Sequence, residues 1–103
     1  MRIERPPVEG GDVEAGRRLL VDYGCGACHS IPGIPAARAH VGPPLTDWSQ
    51  RHYIAGNLPN TLDNLVAWIM DPPRFEPDTA MPSLGVSEEE ARHMSAYLYT
   101  LGR

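Results

Sequence analysis

The chain has 103 residues, with 13 acidic side chains against 9 basic ones and a formal net charge of −4. The basic residues are all arginines, dispersed along the chain, so no basic stripe exists for nucleic acid to follow. The length suits one domain near the lower limit for a self-sufficient core; no apolar run is long enough to span a bilayer, and Met1 to Pro7 lacks the apolar centre of a secretory leader.

Residues 1–11, with Pro6, Pro7, Gly10 and Gly11, read as the end of a tether, leaving 12–103 as the domain. Asp12 is a good N-cap for a helix through Tyr23, with Val13, Gly16, Leu19, Leu20 and Tyr23 on one face and Gly24 as its stop. After the cysteine segment, the stretch from Ile31 to Pro44 holds four prolines, two glycines and few charges, which predicts a loop. Thr61 or Asn60 caps a second helix, apolar on Leu62, Leu65, Val66 and Ile69 with Trp68 beside them, and Pro72-Pro73 ends it. Phe75 to Val86 is loop again, punctuated by Pro77 and Pro82. Ser87-Glu88-Glu89-Glu90 is a capping box with an acidic first turn. The helix it opens runs to about Leu101, burying Ala91, Met94, Tyr97, Leu98 and Leu101, with Gly102 behind it. Nothing reads as a sheet. The chain is all-α, with three main helices and long irregular connections that call for a ligand to organise them.

Both cysteines fall in one pentapeptide, Cys25-Gly26-Ala27-Cys28-His29. Thiols at this spacing lie one turn apart on a short helical segment. Each can reach a vinyl group of the same porphyrin, while His29 turns its imidazole to the iron. That is the order which c-type haem attachment requires. Two rival chemistries use the same thiols. A thioredoxin-like pair needs a preceding strand, and Leu19 to Gly24 is too short and too helical for one. A zinc site needs four ligands, and the remaining histidines, His40, His52 and His93, are scattered singly. A porphyrin would add apolar surface to a chain with only seven aromatic residues, so the protein without it is expected to fold poorly.

With His29 on one face of the iron, the opposite face decides the function: open, it suits gas or peroxide chemistry; filled, it suits electron transfer. Met70 and Met94 lie in predicted helices, where core or surface roles explain them. Met81 sits in the proline-punctuated loop Asp78 to Gly85, with no helical face to bury, and is better explained as a ligand. His52 is the strongest rival among the histidines.

From Asp12 to Leu101 the chain resembles a class I cytochrome c. The resemblance rests on Gly16 and Leu20 before the cysteine motif, Gly42-Pro43-Pro44-Leu45 after it, Arg51, the Trp68 helix with Pro72, Thr79-Ala80-Met81, and Ala96-Tyr97-Leu98. The stretch from Gly42 to Leu101 is most similar to the cytochrome c domain fused to subunit II of haem-copper oxidases. Leu58-Pro59-Asn60-Thr61 and Trp68-Ile69-Met70-Asp71-Pro72 carry that likeness. The resemblance implies one haem c bonded through Cys25 and Cys28, with His29 and Met81 as axial ligands. It implies that Gly16 lets the first and last helices cross, with Leu20 against Met94 and Tyr97, and that the Pro43 carbonyl accepts the Nδ1 proton of His29. Arg51, Tyr53 and Trp68 are then candidates for contact with the propionates or the haem edge.

The implied function is one-electron transfer, with no bond-making chemistry. The implied acceptor is a terminal haem-copper oxidase, and the donor a quinol-oxidising complex or another carrier. Attached haem c implies a protein working outside the cytoplasm, touching a membrane only through a fused or upstream anchor; a monomer is expected. The alternative is a catalytic or small-ligand-sensing haem domain in which the Met81 bond is labile. Mitochondrial relatives dock through a ring of lysines, which this chain lacks, and Ala80 stands before the ligand. Gly26, Ala27, Ile31, Pro32, Ile34 and Pro35 predict instead a weakly charged, apolar docking edge, with only mild sensitivity to salt.

Overall fold

Helix α1 (Val13–Asp22) begins where the Asp12 carboxylate accepts a 3.0 Å bond from Ala15 N. It stops at Gly24, whose φ of +75° is open to a residue without Cβ. The computed structural model describes residues 2–27, 29–35, 37–40 and 42–103, and the backbone alone of Ala27. Helix α4 (Glu88–Leu98) opens on the expected capping box: Ser87 Oγ accepts from Glu90 N, and Glu90 Oε1 accepts from Ser87 N, both at 3.1 Å. The two helices cross at Gly16, where a Cβ would stand 1.9 Å from the carbonyl oxygen of His93. Only glycine permits that approach. Gly16 and Leu20 are buried as expected, but Val13 remains 44% exposed, because the apolar face is covered only where α4 lies over it.

Thr61, rather than Asn60, caps α2 (Leu62–Met70), accepting from Asn64 N at 3.2 Å. Leu65, Val66, Trp68 and Ile69 face inward, and α2 packs on α4. Pro72-Pro73 interrupts the helix without ending helical structure. The chain turns at Asp71 and restarts as α3 (Pro72–Phe75), since a proline in a first turn loses no hydrogen bond that the helix needed. Phe75 therefore closes a helix instead of opening a loop. Regular helix stops at Leu98, and the following turns keep Leu101 buried.

The expectation of no sheet is corrected by a small hairpin. β1 (Tyr53–Ile54) pairs antiparallel with β2 (Leu58–Pro59), Tyr53 opposite Pro59 and Ile54 opposite Leu58. Ala55 and Gly56, at φ +53° and +87°, supply the left-handed turn such a connection needs. Two-residue strands carry no alternation that a sequence pattern could register.

The described residues of the proline-rich stretch from Ile31 to Pro44 are irregular, as expected, yet they contribute to the core. Ile31, Ile34 and Ala37 are buried, as is Leu45 just beyond, and Ile31 N donates to Ala37 O at 3.1 Å. A bridge between Ser30 and Arg38 closes its neck. The apolar edge expected here is consequently narrower than the sequence implied: Pro32 and Pro35 face solvent, while the isoleucines point inward.

Before α1, the segment around Arg5 is held against the domain. The Arg5 guanidinium donates to the carbonyls of Ser49, Asn60 and Arg51 at 2.8, 2.7 and 3.0 Å, and lies 4.7 Å from the Tyr99 ring centroid. Ile3 exchanges two backbone bonds with the Gln50 amide, at 2.7 and 3.0 Å.

Candidate functional site

One cavity of about 310 Å³ lies among these elements, and nearly every wall is apolar. Leu20 of α1 and Met94 and Leu98 of α4 close one side; Leu65, Trp68 and Ile69 of α2 close another. Cys25 and His29 stand at the first loop, Leu45 and Trp48 further along it, Ile54 and Ala55 at the hairpin, and Thr79 to Met81 on the loop before α4. Chain segments far apart in sequence thus converge on one apolar space, the kind of site that takes a large apolar ligand.

Cys25 sits in a 3₁₀ turn (Cys25–Ala27) and lines the cavity; His29 N donates to Cys25 O at 3.0 Å, so the turn sets the backbone of the histidine. Cys28 lies outside the described residues. His29 Nδ1 is 2.8 Å from Pro43 O. A carbonyl can only accept, so Nδ1 carries a proton; in the neutral ring the lone pair is then on Nε2, the form in which imidazole binds a metal. Gly42 makes room for the ring. A Cβ there would come within 2.3 Å of His29 Cε1 and 2.9 Å of Nε2, so any side chain would collide with the imidazole.

Met81 also lines the cavity, half-buried, in a loop shaped by a 3.2 Å bond from its own N–H to Thr79 Oγ1. Met94, assigned to the core, is buried and forms part of the wall. Trp68 reaches the cavity from α2, with its ring 6.4 Å from that of Phe75. Arg51 and Tyr53 are not among the lining residues. Arg51 Nη2 is hydrogen-bonded to Pro44 O and its guanidinium lies 5.6 Å from the centroid of Trp48, while Tyr53 is 56% exposed on the hairpin. His40 and His52 are exposed, and His93 accepts from Asp12 N at the crossing of α1 and α4. None of the three lines the cavity.

Sequence reasoning missed Trp48 and the role of Asn60. Trp48 is the one large apolar residue in the polar run Thr46 to Arg51, which was the available sign. Asn60 is buried; its amide donates to the carbonyls of Trp48 and Arg51 at 3.2 and 3.0 Å and accepts from the Tyr99 hydroxyl at 2.8 Å. Burial pushes the Tyr99 hydroxyl up to about 12, with Arg5 opposing the shift.

The family model for cytochrome c matches residues 13–102. Cytochrome c oxidase subunit 2 of Alkalihalophilus pseudofirmus is 37% identical over 87 residues, covering 84% of this chain and 25% of that protein. Cytochrome c oxidase subunit 2 of Bacillus sp. strain PS3 is 28% identical over 106 aligned positions, covering 98% of this chain and 30% of that protein. The chain therefore spans between a quarter and a third of the length of these curated relatives. Cytochrome c2 from Rhodobacter sphaeroides superposes with a TM-score of 0.60 at 21% identity, covering 89% of this chain and 97% of that one. The chain belongs to the cytochrome c family, and its fold is that of a class I cytochrome c. Membership makes it an electron carrier and implies covalent haem c.

The residues present fit such a group. The cavity is apolar, the imidazole has its Nδ1 committed to Pro43, and glycine clears the space over the ring. Trp48 Nε1 is buried with no hydrogen-bond partner among the described residues.

Proposed function

We propose that this chain carries one haem c, bonded to Cys25 and Cys28, with His29 and Met81 as the two axial ligands, and serves as a one-electron carrier for a terminal haem-copper oxidase. The observation that supports this most directly is that His29, with its tautomer set by Pro43, and Met81 line the same apolar cavity. The haem supplies the one-electron iron couple. The protein's residues set its environment. The Pro43 carbonyl orients the imidazole and raises its basicity as a ligand. The soft thioether of Met81 favours the reduced metal, and the apolar walls from α1, α2 and α4 exclude water and disfavour the extra charge of the oxidised form.

The oxidase partner is supported by the likeness to two subunit 2 chains and by the fraction of them that this chain spans. Residues 12–103 then form the electron-carrying domain, residues 1–11 the end of a tether that docks on it through Ile3 and Arg5, and the site of action is outside the cytoplasm. A quinol-oxidising complex or another carrier is the donor, and the domain acts as a monomer.

The spectrum of the purified protein tests this reading. A covalently retained pigment with the far-red absorption of methionine bound to ferric iron, and a reduced-form spectrum that carbon monoxide leaves unchanged, is the expected result. Met81→Ala should abolish that absorption and lower the reduction potential. A colourless chain, or a Met81→Ala protein with unaltered spectrum and potential, overturns it. Carbon monoxide displacing the methionine would instead mark a small-ligand-binding domain.

A further inference from the structure

We infer that Arg5 is a positioning residue for the electron-transfer site: it staples the neck of the loop from Ser49 to Asn60, and that loop closes one wall of the cavity. The inference rests on the haem reading above. The Arg5 guanidinium donates to carbonyls at both ends of the loop, Ser49 and Arg51 at its start and Asn60 at its end, at 2.8, 3.0 and 2.7 Å. It forms no ion pair among the described residues, so its donors serve these carbonyls. The chain around it is held on both sides. Ile3 exchanges two bonds with the Gln50 amide, Val8 packs half-buried against the core, and Arg92 Nη1 donates to Glu9 O at 3.4 Å.

Between the two ends of the neck lies the hairpin, whose Ile54, 1% exposed, and Ala55 line the cavity. Two-residue strands do not hold themselves together in water. Ile54 stays inward because the neck is closed, by Arg5 and by Asn60, whose N–H donates to His52 O at 2.9 Å. Ser49 N also donates to Leu101 O at 2.9 Å, which fixes the near end alone. Arg5 is the tie that reaches both ends from outside the loop. An open neck would admit water to an apolar wall. Apolar surroundings disfavour the extra charge of the oxidised form, so a closed neck favours the reduced one. Linkage works in both directions: the reduced protein then holds the Arg5 segment more tightly than the oxidised protein does.

Amide hydrogen exchange on the haem-loaded full chain, in both oxidation states, tests this alongside the reduction potential of Arg5→Ala. The Ile3 and Asn60 amides should share one local opening, about fivefold rarer in the reduced protein, which is the lower end of ordinary coupling. In Arg5→Ala the Ile3 amide should lose its protection. The potential should fall by the same factor, about 40 mV at roughly 59 mV per tenfold for one electron. Arg5→Lys keeps the charge without the planar fork, and its potential should fall as far. A potential unchanged in Arg5→Ala, or restored in Arg5→Lys, overturns the inference; restoration would show that charge alone acts on the iron. If Arg5→Ala fails to fold, the unaltered protein decides: equal opening at Ile3 in the two states overturns the inference, and the shared fivefold ratio supports it. A colourless protein defeats this inference together with the haem reading; a pigmented protein with His/Met spectrum and no redox-dependent opening defeats this one alone.

Discussion

The Tyr23 hydroxyl donates a 2.7 Å hydrogen bond to Glu90 Oε1, the same oxygen that accepts from Ser87 N at 3.1 Å. One carboxylate thus caps α4 and fastens the end of α1 to it. The Tyr23 bond, followed by the bond from Ser87, holds this carboxyl below its ordinary value of 4.5. Asp12 is lowered likewise, chiefly by the bond from Ala15 N. A carboxyl with a depressed folded-state pKa adds stability above its unfolded value and loses it as the pH falls through the folded one. Melting temperature is therefore expected to hold level above about pH 5 and to fall below 4.5. Glu90→Gln should flatten part of that fall, since glutamine can still cap the helix and accept from Tyr23. A variant curve that superimposes on the parent's would refute this linkage.

Gly16→Val should be severely destabilising. The added Cβ would overlap the His93 carbonyl, 1.9 Å away, and backbone cannot give way as a flexible side chain does. Separating the helices should cost at least about 3 kcal/mol, or a melting temperature lower by roughly 10 °C or more. Thermal unfolding of the haem-loaded variant checks this, and an unshifted midpoint would contradict the crossing.

Asn60→Ala removes two donors to the Trp48 and Arg51 carbonyls and strands the buried Tyr99 hydroxyl. A loss of about 2–4 kcal/mol is expected by chemical denaturation, more than for an exposed asparagine. Tyr99→Phe, which leaves Asn60 its own donors, should cost less. Equal and negligible losses would show that this network carries no weight.

Arg5→Ala should lower stability by about 2 kcal/mol, because a single guanidinium bridges three carbonyls and covers Tyr99. Arg5→Lys should fail to restore it, since an ammonium lacks the planar fork. Full rescue by lysine in a melting experiment would mean that charge alone is at work.

Replacing both Cys25 and Cys28 by serine is expected to leave a chain without a cooperative melting transition. The side chains of α1, α2 and α4 that line the cavity then lose the surface they pack against. A sharp, native-like transition in that variant would show the polypeptide core to be sufficient.

Much of the helical frame was legible beforehand. Asp12, Thr61 and Ser87 each satisfy an N–H three residues ahead, an interaction contained within one turn, so the residue types announce it. The CxxCH motif and the loop position of Met81 were equally visible, because thiol spacing and proline punctuation are local properties. Pro72 shows where such reading stops. Proline says that a helix cannot continue through it, but not that a new one starts there.

Other features depend on residues distant in the chain. Trp48 and Asn60 lie in short stretches without periodicity, and their importance comes from the Arg51 carbonyl, Tyr99 and the cavity wall. Ile31 and Ile34 looked like an exposed edge until the loop folded them inward. Capping, turn chemistry and motif spacing act over a handful of bonds and can be read from neighbours in the chain. Burial and the satisfaction of polar groups, by contrast, are settled by whichever distant segments the closed chain brings against them, which is why the place of Trp48 in the cavity wall and of Arg51 over its ring emerged only in three dimensions.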